Sequence, residues 1–174
     1  MMTFNYILNK IKNPDDIKDI KSSYEYANSK LSGIMRKNGD TEISHCLEVA
    51  NILIDLNVDK ETIICAILHS VLDFNDIDEK EIVENFSLET YKIIFSLSKI
   101  NNLEMVDDSE SAALYLRKVM VGLSEDVRVL FIKLADRLHN IRTFDAISTE
   151  RQKKVANETL SVLVPIAPVS YTHL

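Results

Sequence analysis

The chain has 174 residues, a formal net charge of −7, and 46% hydrophobic against 27% charged residues. That length fits one domain with a sizeable core, and the acidic balance disfavours nucleic acid and anionic membrane surfaces as partners. No apolar run reaches membrane-spanning length and no basic stretch leads into an apolar one at the N-terminus, so the chain reads as cytoplasmic.

With only 3 Gly and 3 Pro, the sequence favours helices on short connections over a sandwich or barrel. The fold class is all-α, with about eight or nine helices. A short first helix covers about Phe4–Ile11 and stops at Asn13-Pro14. Pro14-Asp15-Asp16 opens a second, with Ile17, Ile20, Tyr24, Ala27 and Leu31 as its buried stripe, which ends at the turn Asn38-Gly39-Asp40. A third spans about Ile43–Leu56, with Val49, Ile52, Leu53 and Leu56 inward. Asp59 caps a fourth, Lys60–Phe74, apolar on most sides from Ile63 to Leu68 and therefore central to the core.

Asp78-Glu79-Lys80-Glu81 opens a fifth helix with Ile82, Val83 and Phe86 inward, and Ser87-Leu88-Glu89 a sixth with Ile93, Ile94, Leu97 and Ile100. The polar, acidic stretch Asn101–Ser109 reads as a long loop. A seventh helix follows at about Ser111–Gly122. Ser124-Glu125-Asp126 caps an eighth at about Asp126–Ile147, whose apolar Val129, Leu130, Ile132, Leu134, Leu138 and Ile141 recur at helical spacing. The last, Thr149–Pro165, starts on the capping-box pattern Thr149-x-x-Gln152.

Three metal-capable side chains sit in core-like helical segments: His45, His69 and Asp136. A carboxylate within an apolar helix must be paired, hydrogen-bonded or bound to a metal. Each histidine alone is more often a satisfied core residue, but two nitrogens and one carboxylate on packed helices could share one divalent cation. Asn140 and Thr143 follow Asp136 at i+4 and i+7, on the same face. Cys46 and Cys65 form no CxxC pattern and read as small buried thiols, although Cys65 stands four residues before His69.

The stretches Arg36-Lys37-Asn38-Gly39, His45-Cys46-Leu47-Glu48-Val49-Ala50, Thr62–His69, Leu116–Met120 and Asp126–Thr143 resemble the N-terminal hydrolase domain of the RelA/SpoT homologues. These bacterial enzymes make and degrade the alarmone (p)ppGpp, and their hydrolase domain is of the HD metal-phosphohydrolase type. The resemblance runs from about residue 20 to Ala167, which marks 1–167 as the HD-type domain, a helical bundle. It implies manganese-dependent removal of the 3′-diphosphate. Carried over by position, it makes His45, His69 and Asp136 the metal ligands, and puts Arg36, Lys37, Asn140 and Thr143 against the guanosine nucleotide.

Two departures weaken that implication. The family's His-Asp doublet is here His69-Ser70, and the following acidic pair is Asp73-Phe74. A neutral hydroxyl binds a hard cation more weakly than a carboxylate, and Phe74 cannot carry a proton, which leaves Asp73 as the candidate catalytic carboxylate. Two readings follow: a pseudoenzyme that keeps the fold, binds guanosine nucleotide and regulates a (p)ppGpp synthetase in cis or trans, or a pyrophosphohydrolase of reduced rate. Hydrolysis of another nucleotide with a rebuilt acid group is a weaker third. Residues 168–174 do not follow the family's continuation towards a synthetase domain, and are expected to be irregular.

Overall fold

The computed structural model describes residues 2–101, 120, 121, 125–143, 148–160 and 164. In these residues the helices are α1 (Met2–Lys10), α2 (Pro14–Lys30), α3 (Glu42–Ile54), α4 (Lys60–Leu68), α5 (Val71–Phe74), α6 (Glu79–Asn85), α7 (Leu88–Asn101), α8 (Val127–Arg142) and α9 (Thr149–Glu158). The architecture is all-α, and an isolated bridge between Met35 and Thr41 is the β-type pairing seen among the described residues.

Helix starts follow local chemistry. Side-chain oxygens of Asn13, Thr41, Asp59, Asp78 and Asp126 accept the otherwise orphaned amides of Asp15, Ser44, Thr62, Glu81 and Arg128. Asp126 is further tied to the Arg128 guanidinium, which also pairs with Glu89 of α7. That guanidinium holds the Asp126 carboxyl below its ordinary range, against the opposing effect of burial.

α4 is the centre. Its Ile63, Ile64, Cys65, Ala66, Ile67 and Leu68 are all buried, and it packs against α2, α3, α7 and α8. Such all-round burial explains why its sequence lacks an amphipathic stripe. Both cysteines are buried and free, in agreement with the reading as core thiols.

Several boundaries differ from those expected. α2 ends at Lys30 rather than near Asn38, because Gly33 takes φ +78, a left-handed conformation that stops a helix cheaply only at glycine. Residues 34–42 then close a tight loop: Arg36 N–H bonds to Asp40 O at 2.8 Å and Glu42 N–H to Ile34 O at 3.0 Å. Gly39 supplies a second positive φ, of 88, in that loop. The expected helix Lys60–Phe74 is two, α4 and α5, broken at His69-Ser70. α9 begins with Thr149 as its first helical residue, so Ser148 and not Thr149 stands at the cap position.

Some inward assignments also change. Leu56 lies beyond the end of α3 and is 64% exposed. Leu138 and Ile141 are exposed on α8, while Lys133, Asp136, Arg137 and His139 are buried there. The interior face of this half of α8 is polar, and Leu138 instead lines a surface groove with Tyr6, Ile52 and Leu56. The expected seventh helix (apart from residues 120 and 121), most of the acidic loop, residues 144–147 and the tail 168–174 lie outside the described residues.

Candidate metal centre

α3, the end of α4 and the middle of α8 each deliver one donor to a common point. One ligand-capable atom from each of His45, His69 and Asp136 lies within 4.8 Å of the others, and all three residues are buried. The break after Leu68 matters here, because it places His69 at the turn where α4 ends rather than within a continuous helix.

Each donor is oriented by a hydrogen bond. His69 donates Nδ1–H to the Ala66 carbonyl at 2.7 Å, which turns its Nε2 towards the cluster. His45 Nε2 stands 3.2 Å from Asp136 Oδ1, and its Nδ1 is 2.8 Å from Nδ1 of His139. Fixing one ring nitrogen of a histidine sets the tautomer and frees the other to bind. Asp136 Oδ2 accepts from Lys133 Nζ at 2.9 Å, and its Oδ1 accepts from Asn140 Nδ2 at 2.7 Å.

The charges follow from those contacts. Burial pushes His45 down to about 4, although Asp136 pulls the other way. Burial also works against a proton on His69, but Cys46, Asp136 and the Ala66 carbonyl outweigh it and push that imidazole up to about 9. For Asp136 burial alone would raise the carboxyl, and the Lys133 ammonium with the two histidines holds it well below the usual carboxylate range. His45 and Asp136 are thus in the protonation states that metal binding requires, whereas His69 has to release a proton before its Nε2 can bind.

The nucleotide residues expected from the sequence divide. Arg36 reaches the cluster: its Nη2 donates to Asn140 Oδ1 at 2.7 Å and its Nη1 to both oxygens of Glu42 at 3.2 and 3.0 Å. Lys37 is exposed in the loop, and Thr143 turns its hydroxyl back onto the His139 and Asn140 carbonyls, both at 3.2 Å, at the end of α8. Asp73 reaches the centre indirectly. Its Oδ2 accepts from Asn101 Nδ2 at 2.8 Å, and Asn101 Oδ1 accepts from Lys133 Nζ at 2.6 Å. Asp73 Oδ1 is buried without a hydrogen-bond partner. Phe74 is 51% exposed.

Sequence reasoning passed over Glu42, His139, Lys133 and Asn101. Glu42 and His139 carried a signal, since each sits one turn from a candidate ligand, at i−3 from His45 and i+3 from Asp136.

The model of the HD domain family matches residues 23–168, and so covers the centre described above. The chain belongs to the HD-domain family. Among curated relatives, this HD domain is 38% identical over 154 residues to the guanosine-3′,5′-bis(diphosphate) 3′-pyrophosphohydrolase of Aquifex aeolicus, covering 88% of this chain and 22% of that protein. It is 30% identical over 165 residues to the bifunctional (p)ppGpp synthase/hydrolase SpoT of Escherichia coli, covering 95% of this chain and 24% of that one. A third relative, the GTP pyrophosphokinase rsh of Brucella ovis, is 38% identical over 148 residues, covering 85% of this chain and 20% of its own. The HD domain therefore spans roughly a fifth of the length of these relatives. A solved structure described as a metazoan ortholog of SpoT that hydrolyses ppGpp shares the fold, with a TM-score of 0.68, 21% identity, and coverage of 83% of this chain and 85% of that one.

Proposed function

We propose that this HD domain binds a guanosine tetra- or pentaphosphate beside a divalent cation, and hydrolyses it poorly or not at all. Its role is then regulatory, towards (p)ppGpp synthetase activity in the same or a separate chain. The observation that carries this reading is the convergence of His45, His69 and Asp136 within 4.8 Å, in a chain with Ser70 and Phe74 where the resembled hydrolases have carboxylates.

The donor set fits a cation. Two imidazole nitrogens and an ionised carboxylate suit first-row divalent ions, and the family resemblance favours manganese. When bound, the ion lowers the pKa of coordinated water and neutralises charge on the attacked phosphate. The chain's own contribution would be to hold the ligands in place. Asp136 is fixed by Lys133 and Asn140, His69 by Ala66, and His45 by His139. Replacing His139 by Phe should therefore weaken manganese binding by ~10–100-fold with the fold retained. Isothermal titration with manganese alone checks this, and an unchanged affinity would remove His139 from the positioning of His45.

Arg36 and Asn140 form the polar wall on which a guanine and its phosphates would rest, with Lys37 and Thr143 at its margin. Guanosine tetraphosphate should bind more tightly than adenosine tetraphosphate even without metal. Calorimetry that finds no preference between the two bases would remove the nucleotide-regulator reading.

One observation favours slow hydrolysis as a second reading. Asp73 is linked through Asn101 and Lys133 to Asp136 and keeps one carboxylate oxygen unbonded. It retains a carboxylate that could take up a proton.

A further inference from the structure

Glu42 is a buried carboxylate, 5% exposed, at the first position of α3 and one turn before His45 on the same helix. It accepts a hydrogen bond from Ser70 Oγ at 2.9 Å, and that same hydroxyl lies 3.2 Å from His69 Nε2. One hydroxyl thus separates the Glu42 carboxylate from a candidate metal ligand. On its other side Glu42 is joined through Arg36 and Asn140 to Asp136 Oδ1. The contacts Glu42–Ser70–His69 and Glu42–Arg36–Asn140–Asp136 link Glu42 to two of the three candidate ligands, with its carboxylate one hydroxyl outside their cluster.

A carboxylate is costly to bury and is kept where a positive charge compensates it. Arg36 does so here, at 3.0 Å. Yet Glu42 points its Oε1 at residue 70, the position where the chain has a neutral hydroxyl in place of a charged side chain. His45, His69 and Asp136 alone give three donors and a single negative charge, which leaves a divalent ion with a net positive charge and open coordination positions. With Glu42 the set becomes two nitrogens and two carboxylates, whose charge balances a divalent ion.

We propose that Glu42 is the fourth protein ligand of the cation, a carboxylate from α3 that replaces the one absent at residue 70. Binding then requires the Glu42 carboxylate to exchange its contact with Arg36 for the metal, which releases the guanidinium. This deepens the reading above and rests on His45, His69 and Asp136 holding a divalent ion.

The test is a manganese titration followed by electron paramagnetic resonance, which counts free aqueous ion and needs no turnover. It compares the unmodified chain with Glu42→Gln, Arg36→Gln, Glu42→Gln/Arg36→Gln and Glu42→Gln/Ser70→Asp, with circular dichroism reporting the fold of each. Glu42→Gln should weaken binding by ~10–100-fold, and adding Ser70→Asp should restore most of the loss. Arg36→Gln removes a competing cation but also the support of Asn140 beside Asp136, and should weaken binding less than Glu42→Gln does. Should Glu42→Gln fail to fold, the double variant with Arg36→Gln, which buries neither charge, takes its place and should show the same loss. Equal affinity in the unmodified and Glu42→Gln chains would overturn the proposal. So would equal losses in Glu42→Gln and Arg36→Gln, which would make Glu42 only an anchor for Arg36. Absence of binding to the unmodified chain would instead overturn the metal-centre reading on which it rests.

Discussion

Given ppGpp and manganese, the unmodified domain should release little pyrophosphate, and a Ser70→Asp/Phe74→Asp variant should release it ~10²–10⁴-fold faster. That range is what a positioned proton-transfer group contributes to such reactions. Phe74 offers no such group, and its half-exposed place at the end of α5, five residues on from His69, leaves room for a carboxylate in contact with solvent. Phe74→Asp alone should give most of the gain if Glu42 already supplies charge at residue 70. Ser70→Asp alone should give little, since the missing acid stays missing. Asp73→Glu is the natural third change, as the carboxylate there is one methylene shorter than in the resembled pair. A pyrophosphate-release assay on the purified domain decides the matter. Robust turnover by the unmodified chain would overturn the pseudoenzyme reading, and Asp73 would then be assigned as the catalytic carboxylate.

The second large effect is on stability. Asp136→Ala, measured by urea unfolding in metal-free buffer, should cost ~3–5 kcal/mol, the usual penalty for stranding the partner of a buried ion pair. Lys133 is 7% exposed and lies 2.9 Å from Asp136, with Asn101 as its other partner. Removing the carboxylate leaves an ammonium in the interior with one neutral acceptor. The double variant Asp136→Ala/Lys133→Met should recover a large part of the loss, because it removes the stranded charge as well. Equal losses in the single and double variants would mean that the pair does not account for the penalty.

The helices were legible because their signals are local. Asp59 and Asp126 sit where capping residues belong, and the apolar run Ile63–Leu68 announces a segment buried on all sides. Boundaries failed where one backbone conformation overrode the pattern. Gly33 at φ +78 ends α2 ahead of a more conspicuous Asn-Gly turn, and the His69-Ser70 break falls in a run whose composition alone favours continuing the helix. The stripe drawn through Leu138 and Ile141 failed for a different reason: the inward positions there belong to Asp136, Arg137 and His139, and both Asp136 and His139 meet His45 of α3. Periodicity counts apolar residues and cannot see a polar interior.

The same limit divides the site. His45, His69 and Asp136 could be named from the chain because each is metal-capable and each lies in a core-like segment. The pairings that support them could not, since Ser70 and Glu42 are 28 residues apart, His45 and His139 94, and Arg36 and Asn140 104. Those contacts exist only once α3, α4 and α8 have packed. Lys37 and Thr143, named for a nucleotide rather than for the ion, stand outside the cluster.

The most direct measurement of the central claim is anomalous diffraction at the manganese edge from crystals of the unmodified chain grown with that ion. The expected result is one peak per chain, within bonding distance of His45, His69 and Asp136. A peak elsewhere, or none at a concentration of manganese that saturates an intact HD hydrolase, would contradict the assignment of these three residues.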